Sequence, residues 1–284
     1  MTGLIIGAVI ISFASIMVKL ANMPPDVTGF YRLFVGGLGM LLILWRAGNL
    51  KGLTLHVWKW ALLSASFFTM DLMLWHRSIH LVGPGMATML TNVQVLLLAA
   101  VSVLFLKDKV SRPFLVSIPM ALIGLYLMVG VQWAEFAPGY QYGVIFGLLS
   151  ALAYSCYLLS LKYSLSKVAA DPLSMAAAVA LISSIFLGAL GAAQGNSFVI
   201  PDVQSLLALT FLALVCHSIG WFLITRGIQS VKTSHVGLIL LLQPTLSYVW
   251  DLLFFDKPIN PVELTGGSLV LLAIYLGSLE KRIK

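Results

Sequence analysis

The chain has 284 residues, 60% of them hydrophobic and only 10% charged, with a mean hydropathy of +1.00. Soluble chains carry roughly 25% charged residues; with the apolar character running from end to end, a soluble enzyme and a nucleic-acid binder are both excluded and a polytopic membrane protein remains. The excess of 17 Lys+Arg over 10 Asp+Glu then reads as the cytoplasmic bias of short loops.

Stretches long enough to cross about 30 Å of hydrocarbon as helix run at 3–21, 27–45, 57–77, 81–106, 114–133, 142–162, 172–192, 203–225, 234–255 and 262–279. The first lacks a basic leader and an A-x-A-like cleavage site, so it is expected to remain as a span and not be removed as a signal peptide. Turn signals separate the stretches, among them Pro24-Pro25-Asp26, Gly83-Pro84-Gly85, Lys107-Asp108-Lys109, Pro138-Gly139, Asp171-Pro172, Gly195-Asn196 and Asp256-Lys257-Pro258. No linker is long enough for an extramembrane domain, so any chemistry lies between helices. Cys156 and Cys216 sit in apolar runs and are expected to pack, with neither a disulfide nor a thiol metal site. No metal signature, phosphate loop or nucleophile elbow is present, so no catalysis, metal or cofactor is expected.

With the N-terminus cytoplasmic, the inner side collects Arg46, Lys51, Lys59, Lys107, Lys109, Arg112, Lys162, Lys167, Arg226, Lys232, Lys281, Arg282 and Lys284, thirteen in all, against Lys19, Arg32, Arg77 and Lys257 outside. That asymmetry predicts both termini inside. The two halves also echo one another. Gly3-x-x-x-Gly7 with Ser15 returns as Gly143-x-x-x-Gly147 with Ser155, Arg77-Ser78-Ile79 as Arg226-Gly227-Ile228, Asp108-Lys109 as Asp256-Lys257, and Leu125-Tyr126-Leu127 as Ile274-Tyr275-Leu276. Four matches in near-constant register argue for duplication of a five-helix unit. Because five is odd, the second copy enters the membrane from the other face, the inverted-repeat plan of many secondary transporters. The expected fold is therefore all-α with ten transmembrane helices, as repeats spanning 1–133 and 140–280.

Polar residues three and four apart in a membrane helix nominate a cavity-facing stripe. Such stripes hold Ser12, Ser15 and Lys19 in the first span; Ser64, Phe68, Asp71, Trp75 and Ser78 in the third; and Thr88, Asn92 and Gln94 in the fourth. Ser150, Tyr154 and Tyr157 mark the sixth, Thr210, His217 and Trp221 the eighth, and Gln243, Ser247 and Trp250 the ninth. The serines and threonines compete with back-bonding to the i−4 carbonyl, and the tryptophans with interfacial anchoring. His217 reads either as a substrate or proton ligand or as a packing residue. Asp71 and Asp251, acids set well inside their spans, read as coupling or cation-binding groups or as outer-half acids reaching water. Gly83, Pro84 and Gly85, with Pro244, are the hinge candidates, since Pro244 within a helix would free the carbonyl of Leu240. Spans two, five, seven and ten, poorer in polar residues, read as scaffold.

Two five-helix halves whose fourth helices end Phe105-Leu106-Lys107-Asp108-Lys109-Val110 and Phe254-Phe255-Asp256-Lys257-Pro258-Ile259, together with Gln243-Pro244, resemble the EamA-type branch of the drug/metabolite transporter superfamily. Within that branch the chain most resembles the bacterial aromatic amino-acid exporters. The resemblance implies a central cavity built from helices one, three, four, six, eight and nine. It also implies export of small neutral amino acids, especially aromatic ones, through a bacterial inner membrane by a carrier working as a monomer among membrane lipid. Export of lipophilic cations, for which Asp71 would be the counter-charge, is the alternative.

Overall fold

The computed structural model describes residues 2–105, 112–130, 133, 137–168, 171–224, 239–255 and 260–278. The expected Lys107-Asp108-Lys109 and Asp256-Lys257 turns, the Arg226-Gly227-Ile228 match and the terminal Lys281, Arg282 and Lys284 lie outside those residues, as does Lys232. Among the described residues every regular element is helical. In chain order they are α1 (Thr2–Ser12), α2 (Ala14–Leu20), α3 (Pro25–Arg46), α4 (Leu55–Val82), α5 (Pro84–Asn92), α6 (Gln94–Phe105) and α7 (Arg112–Leu125). There follow α8 (Pro138–Lys167), α9 (Pro172–Ala193), α10 (Val203–Thr210), α11 (Leu242–Phe255) and α12 (Pro261–Ser278).

Helix starts follow local chemistry. Proline opens α3, α5, α8, α9 and α12, where its missing N–H is one no helix could satisfy anyway. Thr54 caps α4, and Asp202 caps α10 by accepting from the Ser205 backbone N–H at 2.7 Å. That bond holds the exposed Asp202 carboxyl below its ordinary pKa.

Among the described residues five apolar helical stretches are long enough to cross a membrane: Thr2–Leu20, Pro25–Arg46, Pro138–Lys167, Pro172–Ala193 and Val203–Ile224. Shorter apolar helices run over Pro84–Leu98, Leu115–Met128 and Pro261–Leu276. The 28-residue α4 is longer than most of these but carries Asp71, His76, Arg77 and His80. The first span is interrupted at Phe13, and the eighth continues beyond α10 as a wider π-type helix over Phe211–Gly220. Such bulges concentrate at functional sites.

The burial pattern is that of a protein in lipid. Leu42, Leu122, Ile185, Leu207 and Leu253 are exposed, while Ser64, Ser78, Ser150, Ser164 and Ser183 are fully buried. Apolar side chains cover the outside and small hydroxyls glue helices together inside, as hydrocarbon solvent requires. Helix α4 packs along α8, α3 along α9, and α7 along α12. Gly36 lets α3 approach the π-type helix, where an added Cβ would lie 2.7 Å from the His217 ring.

Candidate functional site

A cavity of about 110 Å³ opens among α1, α2, α3, α4, α5 and α8. A wider one of about 310 Å³ continues past Leu98, Leu158 and Leu240. Asn92, Gln94, Tyr154, Trp221 and Gln243 belong to both, so the two adjoin along these side chains. Asp71, Trp75, Ser15 and Thr88 line the narrower part. With Ser12 and Phe68, eleven of the twenty stripe residues named from sequence therefore share one space.

Other stripe residues lie elsewhere. Tyr157 stacks on Phe68 with ring centroids 4.6 Å apart, behind the wall and within the core beneath it. His217 is buried between Phe68 and Gly36, and neither ring nitrogen has a hydrogen-bond partner. Ser247 is consumed in a hydroxyl chain: it lies within hydrogen-bond distance of Ser15, and its Oγ is 3.1 Å from Thr88 Oγ1 and 3.3 Å from the Pro84 carbonyl. This chain ties α2, α5 and α11 together. Beside it Trp250, expected near the outer surface, stacks on Phe13 at 4.6 Å and donates its indole N–H to Ser12 Oγ at 2.9 Å.

Both span acids are buried. Asp71 is 4% exposed and its Oδ1 accepts the Ser150 hydroxyl at 2.6 Å. Asp251, 1% exposed, accepts the Gly85 N–H on Oδ2 at 3.1 Å. It thereby satisfies an orphan donor at the start of α5, in the role of a cap supplied by another helix. Gly83 stands at the α4–α5 joint with φ +88°, a conformation costly for any residue with a Cβ, and an added Cβ would lie 2.8 Å from Asp251 Oδ2. Pro84 follows as the first residue of α5. Pro244 falls in the first turn of α11, after a break at Leu241, so its missing N–H opens no gap in a helix interior.

Arg32 is the residue that the stripe argument missed, because the second span was set aside as scaffold. It is 6% exposed and lines the narrower cavity together with the expected stripes. Its guanidinium lies over the Trp75 ring, 5.2 Å from the centroid, and its Nη1 is 3.4 Å from His76 Nε2. His76 Nδ1 is 3.0 Å from the Pro25 carbonyl, an acceptor only, so Nδ1 carries the proton and Nε2 offers a lone pair to Arg32. A second pair, also unforeseen, lies beyond it. Arg77 donates bidentately to Asp26 at 2.7 and 2.6 Å and to the Met73 carbonyl at 2.9 Å. An arginine within an apolar span is costly unless it has a task, and that signal was present in the sequence.

The EamA-like transporter family matches residues 1–130 and 141–279. An uncharacterized transporter of Archaeoglobus fulgidus is 24% identical over 278 residues, 96% of this chain and 94% of its own length. A crystal structure superposes over 100% of this chain and 99% of its own with a TM-score of 0.70 at 17% identity, a likeness of fold.

Proposed function

Since the chain belongs to the EamA-like transporter family, we propose that this membrane transporter exports aromatic and other neutral amino acids across a bacterial inner membrane by alternating access. The composition of the cavity carries this reading. Amides from Asn92, Gln94 and Gln243 share one cavity with the rings of Trp75, Tyr154 and Trp221, a mixture suited to a small polar head and an aromatic side chain. Asp71 favours the lipophilic-cation alternative, whereas Arg32 in the same cavity opposes it. Counterflow in proteoliposomes, comparing phenylalanine, tryptophan, threonine and methionine with a quaternary cation and a sugar phosphate, tests the assignment. Exchange of the amino acids alone is expected; exchange of the cation alone would transfer the protein to multidrug export.

The ten-span inverted repeat, with halves at 1–133 and 140–280, is part of this proposal and is supported by the doubled family match. The proposed orientation gains support from the fate of the outer cations. Arg32 and Arg77 are engaged within the fold, and Lys19 Nζ lies 4.0 Å from the centroid of the Phe255 ring. With both termini cytoplasmic, α8 runs inward past Tyr154 and Leu158, so the wider cavity lies on the cytoplasmic side. The hydroxyl chain and the Asp26–Arg77 pair close the other end, an arrangement in which cargo loads from inside. Single cysteines near Lys51 and Lys167 should then be shielded in intact cells from an impermeant thiol reagent that labels those near Pro25 and Asn196. A different partition would remove both the orientation and the span count.

The rings make a separate prediction. Alanine at Tyr154 or Trp221 should weaken phenylalanine transport more than threonine transport by about 0.5–1.5 kcal/mol, the worth of a lost aromatic contact. Alanine at Tyr157, behind the wall, should lower both equally. Measuring the ratio of the two rates cancels differences in protein amount, and an unchanged ratio at both wall positions would make these rings packing residues.

A further inference from the structure

We infer that Arg32 and Asp71 form a split zwitterion site, the guanidinium taking the α-carboxylate of the cargo and the Asp71 carboxylate its α-ammonium. The inference rests on the amino-acid reading above and specifies how the charged head is held. Both residues line the narrower cavity, one from α3 and one from α4, and both are more than nine-tenths buried. They nevertheless form no ion pair with each other at 4.0 Å or less. Two opposite charges held more than contact distance apart in a low-dielectric space offset only part of each other's desolvation cost. Arg32 Nε is buried with no hydrogen-bond partner, and the side-chain bond that its Nη1 donates to His76 Nε2 is long at 3.4 Å. Gln94 Oε1, in the same cavity, is likewise buried and unpartnered, an acceptor available to an ammonium.

Charge bookkeeping selects the ligand class. A lipophilic cation would place its charge beside Arg32, and a sugar phosphate would place its charge beside Asp71. A zwitterion meets both, and its bidentate carboxylate matches the planar guanidinium fork. His76, fixed by the Pro25 carbonyl, and the Trp75 face beneath the guanidinium hold the fork in place, while Ser150 fixes Asp71. The side chain of the cargo then projects along Tyr154 and Trp221 into the wider cavity.

Phenylalaninamide, which keeps only the ammonium, and N-acetylphenylalanine, which keeps only the carboxylate, test each end as competitors of phenylalanine counterflow in proteoliposomes. Against the parent protein both should compete at least about tenfold less well than phenylalanine, the scale of one lost charge-assisted contact. Arg32→Gln should erase the preference over phenylalaninamide while keeping that over N-acetylphenylalanine, and Asp71→Asn should do the reverse. Arg32→Lys and Asp71→Glu, which keep the charges, should keep both preferences, and ligand-induced thermal shifts in detergent report the same ratios if a variant no longer transports. Parent-like discrimination in both charge-deleting variants would overturn the split site and leave amino-acid transport standing. A parent that exchanges no amino acid would overturn both.

Discussion

Gly266→Leu is expected to unseat α12 from α7 and lower stability by about 3 kcal/mol or more, the upper range for overpacking a fixed contact. The reason is geometric. A Cβ on Gly266 would lie 2.6 Å from the Gly124 carbonyl oxygen and 2.8 Å from the Met128 backbone nitrogen, and one on Gly124 would lie 2.7 Å from the Gly266 carbonyl. Here backbone meets backbone, so no side-chain rotamer can relieve the clash, unlike Gly188, where the opposing atoms belong to the Phe30 ring. Glycine crossings of this kind let membrane helices gain van der Waals contact that a larger residue forbids. The thermal midpoint in detergent should fall by roughly 6–12 °C, on the scale of 2–4 °C per kcal/mol for a chain of this size. Gly3→Leu, where an added Cβ meets nothing within 4 Å, is the control and should melt with the parent. A Gly266→Leu protein that melts like the control would show that α7 and α12 do not cross at this point.

What the sequence revealed, and what it hid, follows from the range of each signal. Hydropathy and prolines are local, so the start of α9 at Pro172 falls where the sequence puts it, while α3 and α8 begin two and four residues earlier than expected, at Pro25 and Pro138. The polar stripes are also local in period, and they brought Asp71, Trp75, Asn92, Tyr154 and Gln243 to one cavity. Stripe arguments fail where a helix contributes a single residue. Arg32 lies on a largely apolar α3, where Thr28 four residues before it is the one polar side chain at that spacing, too short a stripe to signal an inward face. Period alone also cannot say which side of a packed helix opens on space. Tyr157 lies three residues from Tyr154 on α8, yet its ring stacks on Phe68 instead of lining the cavity. Asp26 reads as a turn residue because the partner that gives it meaning, Arg77, is 51 residues away. The π-type stretch at Phe211–Gly220 has no sequence signature comparable to a proline, and the break at Phe13 carries neither proline nor glycine.

The Asp26–Arg77 pair supplies the second large effect, with an asymmetry that tests its burial. Asp26 is fully buried whereas the Arg77 side chain is 23% exposed. Removing one partner of a buried pair strands the other charge at a cost of about 3–5 kcal/mol. Arg77→Gln strands the more deeply buried carboxylate and should cost that full amount. Asp26→Asn strands a guanidinium that keeps the Met73 carbonyl and some water, so roughly 2–3 kcal/mol is expected once that screening is allowed for. The double variant, with no stranded charge, should be more stable than Arg77→Gln alone, giving a coupling of about 1–3 kcal/mol in a double-mutant cycle. The effect should reach transport as well. Pro25, next to Asp26, anchors His76, which in turn meets Arg32, so slack at the start of α3 passes to the guanidinium that lines the cavity. Thermal midpoints in detergent, read beside phenylalanine counterflow normalised to folded protein, check both parts. Equal costs for the two single variants, or additive losses in the double, would mean that water reaches the pair and that it does not seal this end of the cavity.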